Sequence, residues 1–431
     1  MDRLSYKIVA VLDLGTTNSG FGFAFTSELG FRSDKLKVHV NQGWNDGRGN
    51  FLFKTPTCIL LDKNKELEAF GYDAEDMFAD LCIDAKQDKY YFFRGFYTNK
   101  NFTSDTMLID ETRKTLPAIH VFNLFIEAFA NGLMEKLWKR STNFVKGDIR
   151  WVIPVLAYLS DSEKQFLRSC VEKAGIHSNQ LMLVTKAEAA LLYCQHLPAQ
   201  DHYQKLQDEI EYMVVQLGGC SADITILKKE ANQVIEKYRT IGNDCGGTSV
   251  NNTVLQYIVN IFGPEVITSL KKEEPEQFLN LEREISIKIK TVGKGQIRRI
   301  RIPMYVLKIC GDRDHGYKGT YDLYGKRIEL VGDKLKIQND MTNNFFQPTI
   351  DKIINLMENV FADYRDSHNV KEIVMVGGFA ESILVQDAVR QNFPQKYIVI
   401  PDDPVIAVIK GAVLCGHQPC QFLHISSSKV R

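Results

Sequence analysis

The run Lys7-Ile-Val-Ala-Val-Leu-Asp-Leu-Gly-Thr-Thr-Asn-Ser-Gly20 carries the strongest structural signal in the sequence. Its apolar, β-branched residues predict a buried strand that ends at Asp13, and Gly15 then allows a sharp turn. Backbone N–H groups and hydroxyls at such a turn can face an anion, and a carboxylate at its start can hold the water shell of Mg²⁺. We interpret the turn as a phosphate site; taken alone, it also suits a tight hairpin corner. The predicted phosphate-binding residues are Gly15, Thr16, Thr17 and Asn18.

Residues 212–227, Tyr-Met-Val-Val-Gln-Leu-Gly-Gly-Cys-Ser-Ala-Asp-Ile-Thr-Ile-Leu, repeat this design of strand, glycine turn and strand. The repetition predicts two related halves that face one another across a cleft. Asp223 is the second predicted Mg²⁺ carboxylate, because two carboxylates beside phosphates would repel them without a cation. The predicted phosphate contacts of this half are Gly218, Gly219, Cys220, Ser221, Gly246 and Gly247.

A third glycine turn lies in residues 372–382, Glu-Ile-Val-Met-Val-Gly-Gly-Phe-Ala-Glu-Ser. The apolar run predicts a strand that passes through Gly377 and Gly378 into a helix. A flat or anionic ligand can approach closely where glycines precede a helix N-terminus. We therefore expect this turn to contact the same ligand as the first two.

Four further motifs support a family resemblance: Val40-Asn41-Gln42-Gly43-Trp44, Trp151-Val-Ile-Pro-Val-Leu-Ala157, Thr185-Lys-Ala-Glu-Ala-Ala190 and Lys410-Gly-Ala-Val-Leu-Cys-Gly416. With the glycine turns, they make residues 7–416 resemble the nucleotide-binding domain of the 70-kilodalton heat-shock proteins, in particular the heat shock 70 kDa protein 12 branch. The resemblance implies an α/β, two-lobed actin-like ATPase (ribonuclease H-like) fold, with duplicated lobes around an interlobe nucleotide cleft. It also implies ATP or ADP with Mg²⁺ as ligands. The adenosine would contact Gly377, Gly378, Phe379, Glu282 and Arg283.

The expected domain organisation follows from the resemblance and from the order of the turns. Residues 1–200 would form lobe I and residues 201–400 lobe II, with a smaller outer subdomain at about 253–345. Residues 401–431 would supply a helix that returns to lobe I and then a tail. No segment matches the family's peptide-binding domain, so we expect none in this chain.

Hydrophobic periodicity predicts the main elements between the motifs. The predicted helices are residues 118–138, 162–174, 187–196, 346–362, 381–391 and 404–414, and the predicted strands are 150–155, 296–306 and 335–338. The basic stretch 288–301 alternates with Ile and Val, which favours a strand with one solvated face.

Composition narrows the class of protein. The 431 residues are 44% hydrophobic and carry a formal net charge of zero, so two sizeable cores are feasible and a polyanion such as nucleic acid is not an expected partner. No apolar run is long enough for a membrane span. The nine cysteines form no Cys-x-x-Cys pair, which favours reduced thiols and a cytoplasmic location. We expect a monomer that binds nucleotide, with a co-chaperone or a signalling protein as a further partner.

Two positions depart from the family pattern where catalysis is concerned. The second turn begins with Gln216 instead of Asp, and an amide cannot act as a carboxylate. Lys186 stands where the family has a Glu that orients the attacking water. Glu188 lies about 200° further around the helix and so does not replace it. Gln216 and Lys186 are therefore the degenerate catalytic candidates. Cys220 replaces a turn glycine. The family's catalytic lysine lacks a clear match, and Arg94 is the candidate for its position.

These departures favour a chaperone-like switch that binds Mg-ATP or Mg-ADP, belongs to the stress-response family and hydrolyses ATP weakly or not at all. The alternatives are an active ATPase of the same family, a small-molecule kinase on the same fold, and an actin-like filament former. No Gly-x-x-x-x-Gly-Lys-Ser/Thr motif occurs, which argues against a P-loop NTPase.

Overall fold

The computed structural model describes residues 6–28, 37–47, 49, 51–98, 102–197, 210–230, 233–290, 298–310, 318–323, 326–337, 339–417 and 421–423. Strands and helices occur throughout the described chain, and the fold class is α/β, as predicted. The sequence also predicts a polar connection at residues 198–208, which lies outside the described residues.

The first half of the chain contains thirteen strands and four α-helices among its described residues. The strands are β1 (Ile8–Asp13), β2 (Asn18–Phe25), β3 (His39–Val40), β4 (Trp44–Asn45), β5 (Phe51–Leu52), β6 (Thr55–Pro56), β7 (Cys58–Leu61), β8 (Leu67–Phe70), β9 (Tyr91–Arg94), β10 (Met107–Ile109), β11 (Thr115–Pro117), β12 (Ile149–Val155) and β13 (Leu181–Thr185). The helices are α1 (Tyr72–Ile83), α2 (Ala118–Trp138), α3 (Asp161–Lys173) and α4 (Lys186–Gln195).

The first sheet has the strand order β13-β12-β1-β2-β3, with β6 also beside β2. The central strand β1 pairs antiparallel with β2 and parallel with β12, and β12 pairs parallel with β13. Every side chain of β1 is buried. Asp13, the last residue of β1, therefore lies inside the protein at the start of the first glycine turn.

The second half continues with β14 to β23 and α5 to α11. The strands are β14 (Glu211–Leu217), β15 (Ser221–Glu230), β16 (Gln233–Asn243), β17 (Arg298–Arg301), β18 (Lys318–Leu323), β19 (Lys326–Val331), β20 (Lys334–Ile337), β21 (Val370–Val376), β22 (Tyr397–Val399) and β23 (Gln421–Leu423). The helices are α5 (Gly247–Phe262), α6 (Pro264–Glu273), α7 (Pro275–Lys290), α8 (Met304–Cys310), α9 (Asn339–Asp363), α10 (Ile383–Asn392) and α11 (Ala407–His417).

The second sheet repeats the arrangement of the first. Its order is β22-β21-β14-β15-β16-β23. The central strand β14 pairs antiparallel with its hairpin partner β15 and parallel with the crossover strand β21, as β1 does with β2 and β12. The predicted repetition of hairpins is confirmed; the division into two lobes around a cleft stays a prediction.

Two helices connect the cores of the two halves. One hydrophobic cluster combines Val9 of the first sheet and Val214 of the second with buried residues of α4 and α11. The two helices touch so closely that a Cβ added at Gly411 would overlap the backbone carbonyl of Ala189. Arg150 donates from Nη1 to the Gly416 carbonyl oxygen at 3.2 Å, which fixes the end of α11 on the first sheet.

The span from α5 to the start of α9 differs in part from its prediction. It contains helices α5 to α8 and a four-stranded sheet of order β17-β20-β19-β18. The prediction of a strand through 296–306 is wrong beyond residue 301, since Pro303 precedes the helix α8 and proline suits a helix start. The strand prediction for the basic stretch 288–301 is wrong at its beginning, because α7 continues to Lys290.

The remaining helix predictions agree with the structure within a few residues, except that α9 begins seven residues earlier than predicted, at Asn339. The predicted helix 118–138 has the bounds of α2. Among the helices that the structure describes, none is both long enough and apolar enough to cross a membrane.

Candidate functional site

The first two glycine turns touch each other. A Cβ added at Gly219 would overlap the side chain of Thr17, so only glycine allows this approach. Gly246 packs in turn against the Gly219 carbonyl, and the N–H of Thr248 donates to that oxygen at 2.8 Å. The structure therefore brings together predicted phosphate residues from both halves of the chain.

The first turn is held by its own hydrogen bonds. The Gly15 N–H donates to Ser19 Oγ at 3.1 Å, and Thr57 Oγ1 donates to the Gly15 carbonyl oxygen at 2.7 Å. Asn18 Nδ2 donates to Thr17 Oγ1 at 3.2 Å. The Gly15 N–H is thus engaged inside the turn, and the phosphate role of Gly15, Thr16, Thr17 and Asn18 stays a prediction.

The second turn closes on the N-terminus of α5. The Gly218 N–H donates to the Ser221 carbonyl oxygen at 3.0 Å, and the Gly247 N–H donates to the Gly218 carbonyl oxygen at 3.1 Å. The residue replacing a family glycine, Cys220, is half-buried and has a free thiol. These two backbone hydrogen bonds involve the neighbours of Cys220 and not Cys220 itself.

The third turn joins the same group through Gly377 and Phe379. Gly377 has a φ of +98°, and an added Cβ would overlap the Leu217 carbonyl oxygen, which ends β14. The Phe379 ring lies 3.3 Å from the position of a Cβ on Gly247 and stacks on Phe346 in the core. Gly378 has open space, since an added Cβ would meet only Val405 at 3.7 Å. Gly378 is therefore the residue of this turn best placed to face a ligand.

Asp13 forms an ion-paired trio with two lysines. Lys54 Nζ lies 2.6 Å from Asp13 Oδ2, and Lys186 Nζ lies 2.9 Å from Asp13 Oδ1. Lys186 also donates to the Leu14 carbonyl oxygen at 3.1 Å, and its approach to Oδ1 is an ion pair rather than a well-directed hydrogen bond. Burial acts to raise the pKa of Asp13, but the two ammonium groups outweigh it and hold that pKa far below its usual value. Asp13 is therefore ionised at any physiological pH.

The second predicted metal carboxylate, Asp223, lies on the neighbouring hairpin. It is 8% exposed and accepts from Ser221 Oγ at 3.3 Å. Gln216 of β14 lies directly opposite Asp223 of β15, so the amide that replaces a family carboxylate is adjacent to it.

Glu188 serves as a helix cap. Its Oε2 accepts from the Thr185 N–H at 2.8 Å, and Thr185 Oγ1 accepts from the Glu188 N–H at 3.2 Å. This reciprocal pair is a capping box at the start of α4, which the spacing Thr-x-x-Glu signals in the sequence. The carboxylate of Glu188 is used to cap α4, and Lys186 is the residue of this segment that reaches Asp13.

The residues predicted to clamp the adenine link α1 to α7. Arg283 lies 2.8 Å from Glu75 and 2.7 Å from Asp76, and Arg94 bridges Glu75 at 3.0 Å and Glu282 at 2.8 Å. We name these five residues the ion-pair clasp. Glu75 is 1% exposed, and both arginines pair with its carboxylate inside the protein. Arg94 is thus engaged in the clasp, and the adenosine role of Glu282 and Arg283 stays a prediction.

The comparison with known proteins identifies the family. The Hsp70 protein family model matches residues 118–426, well over half of the chain. The chain belongs to the Hsp70 family. This Hsp70-family chain is 27% identical to the heat shock 70 kDa protein 12A of Mus musculus over 97% of its own length and 70% of that protein. It is 26% identical to the human heat shock 70 kDa protein 12B, over 97% of this chain and 69% of that protein.

A bacterial relative also matches, and the family gives the chain its general class. The chaperone protein HscA homolog of Acinetobacter baylyi is 25% identical over 66% of this chain and 40% of that protein. The Hsp70 family consists of nucleotide-binding, chaperone-type ATPases, and in general its members bind nucleotide with Mg²⁺. Membership therefore supports nucleotide binding by this chain.

The residues present fit a nucleotide, but they fit a hydrated Mg²⁺ less well. Gly219, Gly246 and Gly377 lack a side chain where Thr17 and the carbonyl groups of Gly219 and Leu217 approach them, so they bring the three turns together, and the space for a ligand lies at Gly378. Both oxygens of Asp13 face lysine ammonium groups, so the predicted metal role of Asp13 conflicts with this arrangement. A site role for Lys54 was not predicted from the sequence, because no motif marks this residue.

Proposed function

We propose that this Hsp70-family chain binds ATP or ADP between its two hairpins and acts as a chaperone-like switch with very slow or absent hydrolysis. The observation that carries the proposal is the contact of Thr17 with Gly219, which joins the two phosphate turns at one place. A nucleotide that touches both turns would link the two halves, so its presence would favour one relative arrangement of them.

Nucleotide binding is supported by the type and placement of the polar groups. The side chains of Thr16, Thr17 and Ser221 offer hydroxyl groups for phosphate oxygens, and the adjacent trio supplies positive charge. The open space above Gly378 suits the adenosine. When the phosphates are bound with Mg²⁺, Asp223 would be the carboxylate of the second hairpin that holds the hydrated metal ion.

Slow hydrolysis is supported by the position of Lys186. Its ammonium group pairs with Asp13 where the resemblance places a carboxylate that orients water. An ammonium group cannot accept a proton from water, and loss of a positioned general base costs about 10²–10⁴-fold in rate. Gln216 adds no carboxylate of its own, so neither position favours turnover.

We further propose a cytoplasmic monomer that takes part in the stress response and passes its nucleotide state to a co-chaperone or a signalling protein. Cysteine spacing in the sequence supports a reducing compartment. Family membership supports the chaperone role.

A titration with ATP and ADP, beside a phosphate-release assay, tests the proposal. We expect saturable binding of both nucleotides with little phosphate release. Absence of binding would contradict the nucleotide site, fast release would favour the active ATPase, and phosphate transfer to a small molecule would favour the kinase.

A further inference from the structure

The trio of Asp13, Lys54 and Lys186 contains one more positive charge than negative charge. One carboxylate lies between two ammonium groups at 2.6 and 2.9 Å. Asp13 is 1% exposed and Lys186 is 7% exposed. One lysine is enough to neutralise one carboxylate, so the three groups together carry one positive charge that Asp13 does not balance. The Lys54 side chain is 18% exposed, so the excess charge lies in a partly buried site, where it is costly unless an anion binds beside it.

The fold holds both lysines against the first turn. Lys54 directly precedes β6, which pairs with the start of β2 through Asn18 and Ser19. The aliphatic part of the Lys54 side chain also packs near Gly20. Lys186 begins α4, and its ammonium group donates to the Leu14 carbonyl oxygen, one residue before Gly15. Both cations are thus fixed by backbone elements that border the predicted phosphate residues.

The same arrangement disfavours a metal ion at Asp13. A Mg²⁺ shell held by this carboxylate would lie beside two ammonium groups, and like charges at such distances repel strongly in a partly buried site. The lysines would have to leave Asp13 before the carboxylate could bind metal-bound water. Lysine is itself a common partner of phosphate and acts there as a point charge.

We propose, on the basis of the nucleotide site proposed above, that Lys54 and Lys186 supply the positive charge at the nucleotide phosphates that Mg²⁺ supplies in the family. Binding of ADP and ATP to this chain is therefore independent of divalent cations. Asp13 orients the two ammonium groups and balances part of their charge when the site is empty of nucleotide.

Calorimetric titration of the full chain with ADP, in EDTA and in Mg²⁺, tests the inference. We expect dissociation constants that agree within about threefold. Binding that weakens by about tenfold or more in EDTA would overturn the inference and leave the nucleotide site intact. Absence of binding in both buffers would overturn the nucleotide site and, with it, this inference.

Two lysine variants assign the effect to the trio. Lys54→Met and Lys186→Met each remove one charge and keep a long apolar stem, so affinity in EDTA should fall by about tenfold and added Mg²⁺ should restore part of it. Lys7→Met is the matched control, because Lys7 pairs with Asp148 at 2.9 Å at the opposite end of β1, about 20 Å from Asp13. An affinity in EDTA that matches wild type in both folded variants would overturn the role of the lysines.

The variant Asp13→Asn distinguishes the proposed role of the lysines from a Mg²⁺ role of Asp13, because the two predict opposite changes in nucleotide affinity. With the carboxylate removed, both ammonium groups are free for phosphate, so affinity in EDTA should rise. If Asp13 instead serves Mg²⁺, affinity in Mg²⁺ should fall, and that result would overturn the inference. Circular dichroism of each variant confirms that the comparison is made on folded protein.

Discussion

Lys186 Nζ lies 2.9 Å from Asp13 Oδ1, which places an ammonium group where the family resemblance predicts a carboxylate. The pair closes the end of β1 onto the first turn of α4. The charge at this point of the site is therefore reversed relative to the family pattern, and both nucleotide affinity and turnover should reflect the reversal.

Restoring the two family carboxylates should raise turnover. In the double variant Gln216→Asp, Lys186→Glu, one ammonium group is removed from Asp13 and Lys54 remains paired with it. We expect phosphate release to rise by about 10²-fold, the lower end of what a positioned base contributes. Lys186→Gln with wild-type Gln216 is the control, since it removes the ammonium group without adding a carboxylate. A folded, ATP-binding double variant with no gain would show that these positions do not limit hydrolysis.

Gly378→Val should block nucleotide binding and leave the fold intact. The added side chain meets only ordinary contact with Val405, yet it fills the space assigned to adenosine. Gly377→Val is a poorer test because its φ of +98° and the Leu217 carbonyl would strain the backbone. Gly147→Val is the control, as an added Cβ there has no neighbour within 4 Å among the described residues. Wild-type calorimetric affinity in Gly378→Val would contradict the adenosine assignment.

Breaking the ion-pair clasp should speed nucleotide release. Arg283→Met removes the contacts of α7 with Glu75 and Asp76, so the two helices separate more readily and ADP leaves several-fold faster. A fluorescent ADP analogue in stopped flow measures the rate. Arg301→Met is the control, because it breaks the exposed pair with Asp333.

Glu75→Gln separates the clasp from the predicted adenine contact of Arg283. It weakens the same ion pairs from the α1 side without altering Arg283. If the clasp governs release, Glu75→Gln accelerates it as Arg283→Met does. An unchanged rate in Glu75→Gln, with a faster rate in Arg283→Met, would favour the adenine contact instead.

The free energy of unfolding should fall as pH rises from 4.5 to about 7, because of the carboxyl group of Glu372. This carboxyl group is 5% exposed, and burial raises its pKa from 4.5 to about 7. Below pH 4.5 the group is protonated in both states. Between pH 4.5 and 7 it ionises only in the unfolded chain, which lowers the free energy of unfolding by up to roughly 3 kcal/mol.

Glu372→Gln should therefore stabilise the protein at pH 8 and leave its stability unchanged near pH 4.5. Urea unfolding at the two pH values measures the difference. Glu358→Gln, at an exposed position of α9, is the control. Equal stabilisation by Glu372→Gln at both pH values would contradict the raised pKa.

Local patterns in the sequence predict much of the fold. The glycine turns after β1, β14 and β21 are visible as apolar runs followed by glycine, and α2 is visible through its helical periodicity. The capping box of α4 is visible as Thr185 and Glu188. Each of these signals lies within a few residues, so a single sequence contains all the information that specifies it.

The charged contacts of the site could not be predicted in this way. Lys54 and Asp13 are 41 residues apart, and Arg283 and Glu75 are 208 residues apart. Neither pair has a motif, since an ion pair requires only opposite charges brought together by the fold. Within residues 253–345, strands were predicted where helices also form, because short apolar runs do not distinguish the two.

The most direct test of the central claim combines ATP binding and single-turnover phosphate release on the same preparation, beside an intact Hsp70 ATPase domain. We predict that this chain binds ATP with saturation and releases phosphate at least about 10²-fold more slowly than the reference domain. Saturable binding with release as fast as the reference would contradict the account, because Lys186 and Gln216 would then not impair catalysis.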